Sequence, residues 1–184
     1  MIKVDNVSLV IKKQNILENV FLDVNEGEAV GLIGGNGSGK TMLMKCICGF
    51  HTSFTGEITV LDKKICRDVE FPPSTGFIIE TPGFIPYLSG FENLKILAGI
   101  NKKISKQEIK DYMEMVGLEP DNKKSVKKYS LGMRQRLGIA QALMEEPDVL
   151  ILDEPFNGLD KKMMLHMREV LVGEKRKGKT ILMA

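Results

Sequence analysis

Tryptophan is absent from this 184-residue chain, histidine occurs twice and cysteine three times. Cys46, Cys48 and Cys66 make no CxxC pair and no even-numbered framework. A disulfide scaffold is therefore excluded, and three such thiols fit a reducing cytosol. A structural zinc site takes about four ligands, more than Cys46, Cys48 and two scattered histidines supply. No apolar run approaches the roughly 20 residues of a membrane-crossing helix. Met1-Ile2-Lys3-Val4-Asp5 carries no secretory pattern. Internal repeats and low-complexity linkers are lacking too. Charge of one sign is scarce: the net is +2, too small to imply nucleic acid by itself. What is there is 43% hydrophobic and 27% charged, an ordinary composition for one globular unit.

The chain is organised around Gly34-Gly35-Asn36-Gly37-Ser38-Gly39-Lys40-Thr41, which fits G-x-x-x-x-G-K-[ST]. Glycines let backbone N–H groups turn inward and approach a row of phosphates. In such a loop Lys40 reaches the β- and γ-phosphates, the Thr41 hydroxyl faces Mg²⁺, and the helix opening near Gly39 adds its positive end. The flanks agree with this: Ala29-Val30-Gly31-Leu32-Ile33 predicts a short buried strand, Thr41 to Ile47 a helix, and Gly49 its C-cap. The plain alternative is a glycine-rich turn.

Gly173-Glu174-Lys175-Arg176-Lys177-Gly178-Lys179-Thr180 satisfies the same pattern in the reverse context. A helix-like stretch precedes it, the strand-like Ile181-Leu182-Met183 follows, and four charged residues fill its interior. It reads as a basic helix-to-strand connection, not a phosphate site.

Residues 2–10 and 16–24 alternate loosely between apolar and polar, predicting two strands joined near Lys12–Asn15. Another strand is expected at Gly56–Val60, then a turn at Asp62-Lys63-Lys64. Pro72-Pro73 breaks the chain before a strand at Gly76–Ile79 that runs into Glu80. Pro82, Gly83, Pro86 and Gly90 predict an irregular connection, and Phe91–Gly99 a helix. Ile109, Tyr112, Met113 and Val116 share one helical face, with Ser105 and Glu108 as a capping box. The basic run Lys123-Lys124 and Lys127-Lys128 reads as a solvated loop. Ser130 is the expected N-cap of a helix with Met133, Leu137, Ala140 and Met144 on one stripe. Val149-Leu150-Ile151-Leu152 predicts a central strand buried on both faces that delivers Asp153-Glu154. Met163, Met167, Val170 and Leu171 mark a further helix, and Thr180–Ala184 a last strand.

In this order the motifs resemble the ATP-binding subunit of an ABC transporter across nearly the whole chain. Tyr129-Ser130-Leu131-Gly132-Met133 is similar to the family's Leu-Ser-Gly-Gly-Gln signature, Leu150–Glu154 to its Walker B strand, and Asn157-Gly158-Leu159-Asp160 to its D-loop. The resemblance implies an α/β P-loop NTPase of ABC type. It has a mostly parallel core sheet with helices, an N-terminal antiparallel β subdomain and a small helical subdomain. Residues 1–83 and 129–184 would form the core with its β subdomain, and 84–128 the helical part. ATP and Mg²⁺ are the implied cofactors. Gly34, Gly35, Asn36, Gly37, Ser38, Gly39, Lys40, Thr41 and Met42 would bind nucleotide. Thr41, Asp153 and Glu80 would face the metal, and Glu154, Lys40 and Glu80 would serve catalysis, with Glu154 as general base. Ser130 and Gly132 would meet the nucleotide of a second ATP-binding subunit in a head-to-tail dimer. The other implied partner is a transmembrane permease, with no nucleic acid. The subunit would lie in the cytoplasm, peripheral on the inner face of the cell membrane.

Departures sharpen the resemblance. Glu80 stands where the family has glutamine; with Thr81-Pro82-Gly83-Phe84 and Tyr-Ser-Leu-Gly-Met-Arg-Gln-Arg it resembles the bacitracin-resistance and lantibiotic-immunity branch. Its carboxylate adds negative charge near Glu154. Ile11 aligns with the family's aromatic adenine platform, and Lys161 with the proline after the D-loop. The serine and switch histidine that follow the last strand in the family are missing, and His51 and His166 lie elsewhere. The resemblance therefore implies a C-terminally truncated chain that binds MgATP but hydrolyses it poorly alone. The alternatives are a soluble ABC-type ATPase acting on nucleic acid or ribosomes, and a non-catalytic nucleotide-binding regulator. A small-molecule kinase, which has a lid and no signature helix, fits least. The implied cargo, a peptide antibiotic or drug, is an analogy at the level of fold.

Overall fold

The structure, a computed structural model, describes residues 1–184. Strands β1 (Ile2–Ile11) and β2 (Gln14–Val24) form an antiparallel hairpin whose turn, Lys12–Lys13, has both φ angles positive, as a two-residue hairpin turn requires. The other edge of β1 pairs antiparallel with β4 (Phe54–Val60). Register shifts between Val4 and Val7, where Asn6 has φ 51, keep Ile2, Val4, Val7 and Leu9 all buried on one face despite the irregular alternation. Gly56 is required opposite this bulge: at φ 86, a Cβ there would lie 2.3 Å from the Asn6 carbonyl oxygen. The expected turn at Asp62–Lys64 is shorter, because Lys63–Lys64 forms a two-residue strand, β5, on the edge of β4.

The second sheet is parallel throughout. Its order is β3 (Ala29–Gly31), β8 (Thr180–Met183), β7 (Val149–Leu152), β6 (Thr75–Ile78). β3 is shorter than the expected 29–33 strand and is not the buried strand expected, being an edge strand with Ala29 and Ile33 exposed, although the Leu32 N–H still donates to the Met183 carbonyl at 2.7 Å. Every residue of β7 is buried, as an unbroken apolar run predicts for an interior parallel strand. Its alternate side chains face two different cores. Val149 and Ile151 join a cluster with Ile2, Val4, Leu43, Met44 and Ile47, so helix α1 (Lys40–Ile47) is packed between the two sheets. Leu150 and Leu152 join a second cluster formed with the remaining helices.

Those helices are α2 (Gly90–Asn101), α3 (Lys106–Met115), α4 (Leu131–Leu143) and α5 (Lys161–Arg176). Their apolar faces are the predicted ones: Ile109, Tyr112 and Met113 of α3, Leu137 and Ala140 of α4, and Met167 and Leu171 of α5 are buried. Gly90, expected in a loop, is the first residue of α2. Ser89 caps it in a box with Glu92, the same S-x-x-E pattern that announces Ser105 and Glu108 on α3. Backbone and then side-chain hydrogen bonds from these serines hold the Glu92 and Glu108 carboxyls below the ordinary carboxylate range. Lys127 and Lys128, read as loop, lie in a 3-10 turn over Val126–Lys128.

The second G-x-x-x-x-G-K-T run is the connection its flanks predict. Its first residues finish α5, and the Lys179 side chain is buried. Its ammonium donates to Glu146 at 2.8 Å and to the Pro147 carbonyl at 3.1 Å, and lies 3.4 Å from Glu174. No helix of the molecule is long and apolar enough to cross a membrane. All four parallel strands aim their carboxyl ends at one rim, the position where open α/β sheets bind ligands.

Candidate functional site

Two of those strand ends supply the site. Leaving β3, the chain turns through Gly34–Gly39 into α1. Gly37 has φ 80 and Gly39 φ 91, and a Cβ on Gly39 would lie 2.9 Å from both the Ile16 carbonyl oxygen and a Leu17 methyl, so this corner admits no side chain. The Lys40 ammonium folds over the loop and donates to the carbonyls of Gly34 at 2.7 Å and Gly35 at 2.9 Å and to Ser38 Oγ at 3.3 Å. A cavity of about 400 Å³ opens along the loop, lined by Asn36 to Met42 with Ile16 and Glu154.

Leaving β7, the chain delivers Asp153 and Glu154. Asp153 is buried, and its carboxylate accepts a 2.7 Å hydrogen bond from the Thr41 hydroxyl. These residues are 112 apart in sequence, and the contact joins the loop to the carboxylate strand. Glu154 is exposed, with φ 46, and its Oε2 accepts a long 3.4 Å hydrogen bond from the Asn157 amide. Thr41, Asp153 and Glu154 also line a second cavity of about 260 Å³ with Glu80, Thr81, Leu131, Gln135 and Asn157. Thr41 and Glu154 are common to both hollows, so they form the sill between them.

Not every expected residue gathers there. Glu80 lines the second cavity, yet its carboxylate is held by the Lys45 ammonium at 2.5 Å, so the added negative charge has its own counter-ion. Ser130 and Gly132 line neither cavity with the loop of their own chain. Ser130 is exposed at the start of α4, its Oγ accepting from the Met133 N–H at 3.2 Å. Gly132 is pressed against the Asn157–Asp160 loop, where a Cβ would come within 2.7 Å of the Gly158 carbonyl oxygen. Ile11 packs beside the first core and lines neither hollow; Ile16, which sequence reasoning missed, walls the loop cavity instead. Lys45 and Gln135 were also missed. Lys45 stands one helical turn beyond Thr41, and Gln135 one turn beyond Gly132 of the signature. His166 is exposed and its Nε2 meets the Met115 carbonyl; His51 is half-buried beside α1.

Comparison with known proteins fits this geometry. The ABC transporter family model matches residues 17–157. The uncharacterized ABC transporter ATP-binding protein YybJ of Bacillus subtilis is 44% identical over 99% of this chain and 84% of its own length. The bacitracin transport ATP-binding protein BcrA of Enterococcus faecalis is 39% identical over 93% of this chain, which spans 56% of that relative. The lantibiotic transport ATP-binding protein SrtF of Streptococcus pyogenes is 37% identical over 100% of this chain and 79% of its own. Among solved structures, the dimeric post-hydrolysis ATP-binding cassette MJ0796 with ADP and Pi matches at TM-score 0.87 and 25% identity, over 100% of this chain and 87% of that one. The chain belongs to the ABC transporter family: it is an ATP-binding cassette, the ATP-hydrolysing kind of subunit that powers a membrane transporter.

Proposed function

We propose that the loop Gly34–Met42 cradles the ATP phosphates and that Asp153 and Glu154 complete the hydrolytic centre. What carries this reading is the 2.7 Å contact between Thr41, which lines both cavities, and Asp153, which lines the second. Both are hard oxygen donors, and Mg²⁺ is ordinarily held by one or two such protein groups together with substrate phosphates and water. Thr41 and Asp153 would hold it, Glu80 bordering the same space; bound there, the ion neutralises charge on the β- and γ-oxygens. Lys40 exchanges its three neutral loop acceptors for phosphate oxygens, a stronger charge-assisted set. Glu154 takes a proton from the attacking water as its oxygen bonds to the γ-phosphorus, the bond to the bridging oxygen breaks, and ADP leaves. MgATP titration is expected to show saturable binding and a thermal shift, and Lys40→Met to weaken it about ten- to a hundredfold, the worth of a charged hydrogen-bond set. No heat and no shift in the unsubstituted chain would end this reading.

Ser130 and Gly132, which line neither cavity of their own chain, fit contact with the nucleotide of a second copy in a head-to-tail pair. A permease partner fits the exposed aromatic patch of Phe50, Phe71 and Phe77. Phe50's ring centre lies 6.0 Å from that of Phe71 and 5.0 Å from that of Phe77, on the segment leading to Glu80. Docking there sets the chain on the inner, cytoplasmic face of a membrane. The names of BcrA and SrtF favour a peptide antibiotic as cargo. The Lys45–Glu80 pair then lies between this patch and the hydrolytic centre. Glu80→Gln, which removes that pair, is expected to keep MgATP affinity within about twofold, since an exposed pair contributes little, and to change turnover or its response to the permease. Unchanged hydrolysis and unchanged transport in that variant would remove any special role for the carboxylate.

A further inference from the structure

Gln135 is a buried polar side chain, 4% exposed, with no part in the chemistry above. It stands on α4 between Gly132 and Gly138 at a spacing of three, so the three positions share one face of the helix. Each meets a different segment around the second cavity. At Gly132 the helix abuts the Gly158 carbonyl, and at Gly138 a Cβ would come within 2.6 Å of the Pro82 ring. Between them, the Gln135 amide donates from Nε2 to the Glu154 carbonyl oxygen at 3.2 Å.

Glu154 is a residue in need of such a hold. Its φ of 46 lies in the left-handed region, which is strained for a non-glycine residue and persists only where neighbours impose it. Its other backbone ties are its own N–H to the Ala184 carbonyl at 3.2 Å and the Asn157 N–H to its carbonyl at 3.1 Å. The side chain leaves from the same Cα, so whatever sets this backbone also sets the point and direction from which the carboxylate is presented.

We propose that Gln135 is a positioning residue that links the signature turn of α4 to the hydrolytic carboxylate of the same chain. The proposal rests on the readings of Glu154 as general base and of Ser130 and Gly132 as contacts to a second copy's nucleotide. A helix moves as a rod, so seating its first turn on that nucleotide displaces Gln135 one turn away. At 3.2 Å the Gln135–Glu154 bond is on the long side, and hydrogen bonds weaken steeply with misalignment. A shift on the order of half an ångström therefore makes or loosens the hold. Occupancy of one site thereby aims the base of the other.

Gln135→Met keeps length and volume and deletes the donor; Gln135→Glu keeps the shape and, ionised, has no donor either. In each, single-turnover hydrolysis is expected to fall about ten- to a hundredfold with MgATP affinity within twofold. The same substitution in a Glu154→Gln background should add no further loss, because both act through one group. In nucleotide-free protein, amide exchange across 153–158 should quicken about tenfold while 34–41 stays unchanged. An unchanged rate, losses that multiply with Glu154→Gln, or unchanged exchange at 153–158 would overturn the proposal. If the unsubstituted chain binds MgATP without turning it over, the general-base reading fails, while the exchange measurement still decides whether Gln135 holds this segment.

Discussion

Glu154→Gln is expected to bind MgATP as tightly as the unsubstituted chain and to hydrolyse it about 10²–10⁴-fold more slowly, the range spanned by a well-placed general base. Asp153, one residue earlier, gives the contrasting result. Its carboxylate is buried against Thr41 beside the metal position, so Asp153→Asn should weaken binding in the presence of Mg²⁺ as well as turnover. The two substitutions are alike in volume and adjacent in sequence. They separate because the backbone changes course just beyond β7: Asp153, the first residue after the strand, turns its carboxylate to Thr41 of the loop, and Glu154, at φ 46, leaves in another direction and stays exposed on the sill. Equal losses of affinity in both variants, measured by titration calorimetry, would remove the division of labour.

The largest expected loss of stability lies far from this chemistry. Lys179→Met deletes the cation from a buried cluster in which Glu174 is 3% and Lys179 7% exposed. Lys177, 2.7 Å from Glu174 but 53% exposed, is a poor substitute, although its hydrogen bond to Glu174 raises its own pKa. Breaking a buried pair from one side typically costs about 3–5 kcal/mol, and chemical denaturation of Lys179→Met should report a loss of that order. Its affinity for nucleotide in the remaining folded protein should be unchanged. Lys40→Met reverses the result, losing nucleotide and keeping stability, since Lys40 binds only loop acceptors at the surface. One pattern, G-x-x-x-x-G-K-T, thus gives two lysines with opposite roles. A stable Lys179→Met protein that no longer binds MgATP would invert that assignment.

That contrast was legible in the sequence because flanking structure is local information. A strand entering a glycine loop and a helix leaving it are written in some fifteen consecutive residues, and so is their reversal around Lys179. The central β7 was legible for the same reason, as was the capping box at Ser105. The box at Ser89 carries the same pattern, but Gly90 beside it reads as a loop residue; once the first turn is capped and packed on the core, that preference is overridden. The bulge at Asn6 hid in a loose alternation whose register only the partner strands decide. Ile16, Lys45 and Gln135 were out of reach on different grounds. Each is ordinary in its own segment and gains its place from a neighbour far along the chain: the loop after β3, Glu80, and Glu154.

β7 has a further consequence. Gripped on one flank through Val149 and Ile151 and on the other through Leu150 and Leu152, it behaves as a splint set between two independent fillings. A void opened in either filling shifts the splint before it melts the molecule, and its tip is where the two acidic groups sit. Mutational scars remote from the nucleotide, at Val4 in one half or Leu118 in the other, should therefore surface first as sluggish turnover and only later as unfolding.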